Sequence, residues 1–173
     1  MNALADEKVG DYLNHHFASA AQKVGTFRIV GDQKLGGNVA SYFCRVVGDD
    51  IHVVHCVPGP VDAQTFLAEA RFAVELHNQA MLDGEKNWQK YGTAVQNGFR
   101  DRAGMGAAFA PAKQVARPNP KLPRVARGND GTTQGQVNES LAKTTLPKLV
   151  TFYPYVWEKV LFEKLSAAPV VVK

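Results

Sequence analysis

The sequence predicts an α/β fold: a small sheet with flanking helices, followed by a Pro/Gly-rich basic arm and a C-terminal helical segment. Apolar residues recur at spacings of three and four in the opening stretch and again after residue 62, and β-branched and aromatic runs lie between them. From 98 to 138 the chain holds six Gly and four Pro with few large apolar side chains, and an aromatic run at helical spacing resumes beyond it. A length of 173 residues, 45% hydrophobic and 21% charged, suits one compact domain with appendages and argues against a fully disordered or fibrous chain. No run approaches the roughly 18 apolar residues a membrane span needs. The opening MNALADEKVGDYLNHHF lacks the basic-then-apolar layout of a secretory signal, so a soluble, cytoplasmic chain with no membrane partner is expected.

Each element follows from its local pattern. Val9, Tyr12, Leu13, His16, Phe17 and Ala20 form one face of an amphipathic helix. TFRIV reads as a strand broken by GDQKLGG, and NVASYFCRVV and IHVVHCV read as two strands joined by a short turn. Pro58, Gly59 and Pro60 end the hairpin, and Asp62 caps a helix carrying Phe66, Leu67, Ala70, Ala73, Val74, His77 and Met81 as its apolar stripe. EKNWQKYGTAV predicts a weak helix broken at Gly92. Pro111, Pro118, Pro120 and Pro123 forbid regular structure in the arm. VNESLAK resumes helix, and LPKLVTFYPYVWEKVLFEKLS carries a long stripe that Pro154 must kink or restart. The expected organisation is a sheet unit at 1–83, a connector at 84–97, the arm at 98–138 and the C-terminal segment at 139–173.

The stretch GGNVASYFCRVVGDDIHVVHCVPGPVDAQTFLAEARFAVEL resembles the C-terminal half of a thioredoxin-like domain: an apolar strand, a turn, a second strand, a Gly and a closing helix. With the first helix and TFRIV, the resemblance spans residues 9–82. It implies a shortened, degenerate unit. The family's redox centre is Cys-x-x-Cys at a helix start, where the helix lowers a thiol pKa, and no cysteine precedes the first helix here. Val39 stands where the family has a cis-proline, and since a cis bond before a non-proline costs about 2.5–4 kcal/mol, a trans peptide and an altered groove are expected.

The thiols are Cys44 and Cys56. With Gly48–Asp49–Asp50 as a three-residue loop and Val47 facing Ile51, Cys44 faces Val54 and lies diagonal to Cys56, roughly 7–8 Å away. A disulfide usually spans about 4.4–6.8 Å between Cα atoms, so both read as small buried hydrophobes, with redox chemistry as the alternative. Histidines do not form a metal pattern: His15 and His16 are adjacent on a helix, and His52 and His55 differ in strand parity. The simpler reading puts His16 and His77 in the core, with His52 or His55 outside. GDQKLGGNV lacks the spacing of a phosphate loop, Asp49 and Asp50 belong to a turn, and Glu69 and Glu75 read as a solvated helix face.

Charge is unevenly spread. Between Gly98 and Gly128 seven cations face Asp101 alone, a local balance of +6 that leaves the remainder at −2 within the total of +4. Lys113, Arg117, Lys121, Arg124 and Arg127 sit on a proline-stiffened chain suited to phosphates or an acidic surface, although Phe99 and Phe109 offer little for base stacking. The expected function is a noncatalytic protein-interaction or assembly module, without cofactor or metal. It pairs with a protein partner or itself through an exposed sheet edge or through Phe152, Tyr153, Val156, Trp157, Val160 and Leu161. A thiol redox enzyme and a nucleic-acid-associated protein are the alternatives.

Overall fold

The chain is mixed α/β. The computed structural model describes residues 3–24, 28–30, 33–35, 38–84, 87–102 and 132–165, with 28–30 and 33–35 as backbone only. After a short 3₁₀ turn at Ala3–Ala5, α1 spans Glu7–His16. The Asp6 carboxylate caps it by accepting from the N–H groups of Lys8 (3.0 Å) and Val9 (3.2 Å). Val9 is buried, and Tyr12, Leu13 and Phe17 pack beside it. The helix stops at His16, so His16 and Ala20 are exposed rather than part of the expected buried face.

The strands β1 (Arg28–Val30) and β2 (Gln33–Leu35) pair with one another, Val30 opposite Gln33, and form a sheet separate from the main hairpin. GDQKLGG is therefore more than a break, since its Gln33–Leu35 is itself a strand. The main hairpin joins β3 (Ala40–Val47) to β4 (Asp50–Pro58). Its loop has two residues, not three, because Gly48 supplies the positive φ (59°) that a mirror-image turn needs, and Val47 meets Asp50. Farther along, Phe43 pairs with His55 but Cys44 with Val53, so Val54 is an extra, bulged residue on β4. The bulge corrects the expected thiol register: Cys44 lies opposite Val53, and Cys56 opposite Tyr42.

β4 is buried along nearly its whole length because both of its faces and both of its edges are covered. The second edge is closed by the chain at Pro147–Lys148. The Val53 N–H donates to the Pro147 carbonyl (2.9 Å), His52 bridges to Lys148, and the His52 Nδ1–H donates to the Leu146 carbonyl (3.0 Å).

α2 (Ala63–Gly84) starts at Asp62, whose carboxylate accepts from the Thr65 N–H (2.8 Å) as expected. It is buried on two sides. Phe66, Ala70 and Ala73 face Phe43 and Val57, whereas Phe72, Leu76 and Ala80 join the larger core. α3 (Trp88–Arg102) is one continuous 15-residue helix, capped by the Asn87 carboxamide at Lys90 N (3.0 Å), and Gly92 does not break it. A Cβ at Gly92 would come 2.8 Å from Thr145 Cγ2, so a side chain there would have to push Thr145 aside. The contact is tighter still at Gly84, where a Cβ would come 2.7 Å from Tyr91 Cα, a backbone atom that cannot step aside. Gly84→Ala is accordingly expected to cost about 1–3 kcal/mol in denaturant unfolding, and a loss under about 0.5 kcal/mol would contradict this close approach.

α4 (Thr133–Lys143) is capped by the Thr132 hydroxyl accepting from Gly135 N–H (3.1 Å) and begins inside what the sequence assigns to the arm. The arm's other boundary moves too, since α3 runs through Arg102. α5 (Leu149–Tyr155) passes through Pro154, and the chain relaxes at once into a π turn over Val156–Val160, with the Leu161 N–H donating to the Val156 carbonyl (2.9 Å). Loss of one helical N–H at Pro154 loosens the following turn without ending it.

Candidate functional site

Three elements meet at a buried ionic cluster. Glu69 on α2 accepts from His55 Nε2–H on β4 (2.7 Å, to Oε2) and from Arg102 Nη2 on α3 (2.6 Å, to Oε1). The side chains of His55, Glu69 and Arg102 are 0%, 1% and 4% exposed. This reverses two expectations: Glu69 is not on a solvated face, and His55 is interior while His16 is outside. His52 is buried as well, and His77 is half-buried, sharing a hydrogen bond with the Tyr91 hydroxyl (2.8 Å).

His55 sits among the rings of Phe43, Phe72 and Phe99, with centroids 5.2–5.8 Å away. Burial lowers its pKa more than the hydrogen bond to Glu69 raises it, and the Arg102 charge lowers it further. Protonation would also place an N–H at Nδ1, which has no partner among the described residues, so the neutral tautomer with its proton on Nε2 fits this box. Burial alone would raise the Glu69 pKa. The hydrogen bonds from His55 and Arg102, with the Arg102 charge, instead hold it below the ordinary carboxylate range. Arg102 lies over the Phe72 ring at 4.1 Å, and its Nε and Nη1 have no partner among the described residues. The cluster ties β4, α2 and α3 together. Glu69 also borders a surface cavity of about 610 Å³ between Gly59, Thr132 and Leu161.

The thiols are both free. Burial pushes Cys44 up to about 11 and Cys56 well above its ordinary value, so both stay protonated at neutral pH, the reverse of what a nucleophile needs. No cis peptide occurs among the described residues, so the bond before Val39 is trans.

The stripe expected to meet a partner is spent inside the chain. Phe152, Val156, Trp157 and Val160 are buried, Phe152, Val156 and Val160 in the same core as Val53, Val54 and Cys56, and Tyr153 and Leu161 are half-buried. The physical reason is that β4 exposes apolar side chains on the face this segment covers. Lys113, Arg117, Lys121, Arg124 and Arg127 lie outside the described residues. Among the described residues no group of three or more His, Cys, Asp and Glu is placed to hold a metal ion, and no helix is long and apolar enough to cross a membrane.

What remains open is the outer edge of β3. The Val39 carbonyl accepts from Gly59 N–H (2.6 Å) on the β4 side. By strand alternation the backbone groups of Ala40, Tyr42, Cys44 and Val46 face away, and because the bulge is on β4 this phase is unbroken. They meet no strand among the described residues. Asn38, in the same phase, donates its N–H to Glu163 Oε1 (3.3 Å), which closes the edge at that end. Val39, Val46 and Val47 are exposed along it, Val46 the most at 67%. Sequence alternation marks β3 as a strand, but no residue in it announces which edge stays unpaired.

Comparison of the chain with protein-family models, curated proteins and solved structures returned no match.

Proposed function

We propose that the chain is a noncatalytic interaction module, a shortened thioredoxin-like unit that binds an extended segment of a protein partner along the outer edge of β3. The observation that carries this reading is the outward backbone of Ala40, Tyr42, Cys44 and Val46, which meets no strand among the described residues and is flanked by exposed valines. Such an edge offers main-chain hydrogen bonds to an incoming strand, and alternate side chains set its specificity. The protonated thiols and the burial of the ionic cluster support a binding rather than a catalytic role. Peptides selected from a random-sequence display library on dilute protein should be extended in character. Their binding should slow hydrogen exchange at the amides of Tyr42, Cys44 and Val46, and Val46→Lys should weaken it while leaving the melting temperature unchanged. Peptides that bind without protecting those amides, or a failure to select any, would overturn the proposal.

A further inference from the structure

We infer that the strand received by β3 is the β3 of a second copy of this chain, arranged antiparallel about a two-fold axis through Phe43. This rests on the reading of the edge as a docking surface. The free edge has two fixed ends: the Asn38 N–H is already taken by Glu163, and the turn begins at Gly48. Between these ends, outward backbone groups must meet outward groups, and the antiparallel register that fills the whole edge from Val39 to Val47 is the one centred on Phe43.

That register is self-complementary in side chains. Val39 falls opposite the partner's Val47, so two exposed valines cover one another, and Val46 falls opposite the partner's Ala40. Arg45, which is the one charged side chain in the strand, falls opposite the partner's Ser41, so no like charges are directly opposed. Tyr42 falls opposite the partner's Cys44. Edge protection is sparse: β3 has no Lys and no Pro, the bulge belongs to β4, and the one charge, Arg45, is drawn over the Tyr91 ring at 4.4 Å. An isologous contact of this kind closes on itself, giving a dimer with one continuous four-stranded sheet rather than a fibre.

Native mass spectrometry and light scattering across a micromolar concentration series should show a dimer. Val46→Lys, present twice across the axis, should raise its dissociation constant about tenfold or more, equivalent to about 1.4 kcal/mol. The register is read by mixing two single variants under mild oxidation. Val39→Cys and Val47→Cys chains should cross-link to each other, because opposed pairs whose backbone groups point away from the new edge bring Cα atoms to about 4.5 Å. Neither variant alone should cross-link to itself, since like positions then lie at opposite ends of the paired strands. A chain that stays monomeric while still selecting peptides onto β3 would overturn the second-copy inference and leave the edge reading standing. A monomer that selects none would end both. A dimer cross-linked Val47→Cys to Val47→Cys, or one unaffected by Val46→Lys, would show a different interface and also overturn the inference.

Discussion

Glu69→Leu is expected to destabilise the folded chain by about 3–5 kcal/mol, because it leaves the Arg102 guanidinium, 4% exposed, as an uncompensated buried charge. The loss should depend on Arg102 being charged: adding Arg102→Met to Glu69→Leu should recover a large part of it, since a buried pair replaced by apolar side chains of similar volume is often neutral. Acid should act on the same cluster. His55 has a folded pKa below its ordinary 6.5, so as pH falls through that value the unfolded chain takes up a proton that the folded chain refuses. Glu69 has a folded pKa below its ordinary 4.5, so its contribution is complete above that value and is lost as pH falls toward the depressed folded value. Both groups bind more protons when unfolded, and both therefore make stability fall as pH is lowered from neutrality. Urea unfolding at a series of pH values tests this, with His55→Phe expected to flatten the upper part of the curve. A Glu69→Leu loss under about 1 kcal/mol, or stability constant from pH 7 to pH 4, would mean the cluster is hydrated rather than sealed.

Trp157→Ala should cost about 3–5 kcal/mol, the usual range for removing a large aromatic side chain from a core, with no direct effect on self-association. Trp157 is 7% exposed, on the π turn that also buries Val156 and Val160. The sequence, which places this stripe on a partner face, predicts weakened association as well. Denaturant unfolding and light scattering of the same variant separate the two outcomes: unchanged stability with a weaker dimer would return the stripe to the interface and count against burial in its own chain.

The local elements were largely legible and the long-range ones were not. Asp62 as a cap, the apolar stripe of α2 and the β3–β4 hairpin each follow from residues close in sequence. The sequence understates α3 because Gly92 looks like a helix breaker, whereas in the fold it lies against Thr145, a neighbour far along the chain. The ionic cluster is hidden from the sequence for a related reason: its three members come from β4, α2 and α3, and Arg102 sits in a stretch whose composition reads as a basic linker. Two signals were nevertheless present. Glu69 lies beside Ala70 in the helical stripe running from Phe66 to Ala73, where a carboxylate requires a partner. IHVVHCV also places apolar residues at adjacent positions, Val53–Val54 and Cys56–Val57, rather than at alternate ones, which marks a strand buried on both faces and puts His55 between two buried pairs. The bulge at Val54, by contrast, has no marker in the residues around it.

The closure of β4 by Pro147 and Lys148 bears on how the chain matures on the ribosome. His52 and the Leu146 carbonyl that it binds are 94 residues apart, and synthesis at about 5–20 residues per second puts about 5–20 s between their appearances. Throughout that interval the hairpin has two open edges instead of one, and Val53, Val54 and Cys56 lack the residues from Val137 to Val160 that later cover them. The nascent protein is thus most adhesive just before the segment beyond Thr132 emerges. A slow translation step after α3 would lengthen that exposure, and the fold can settle only when the segment beyond Thr132 has been made.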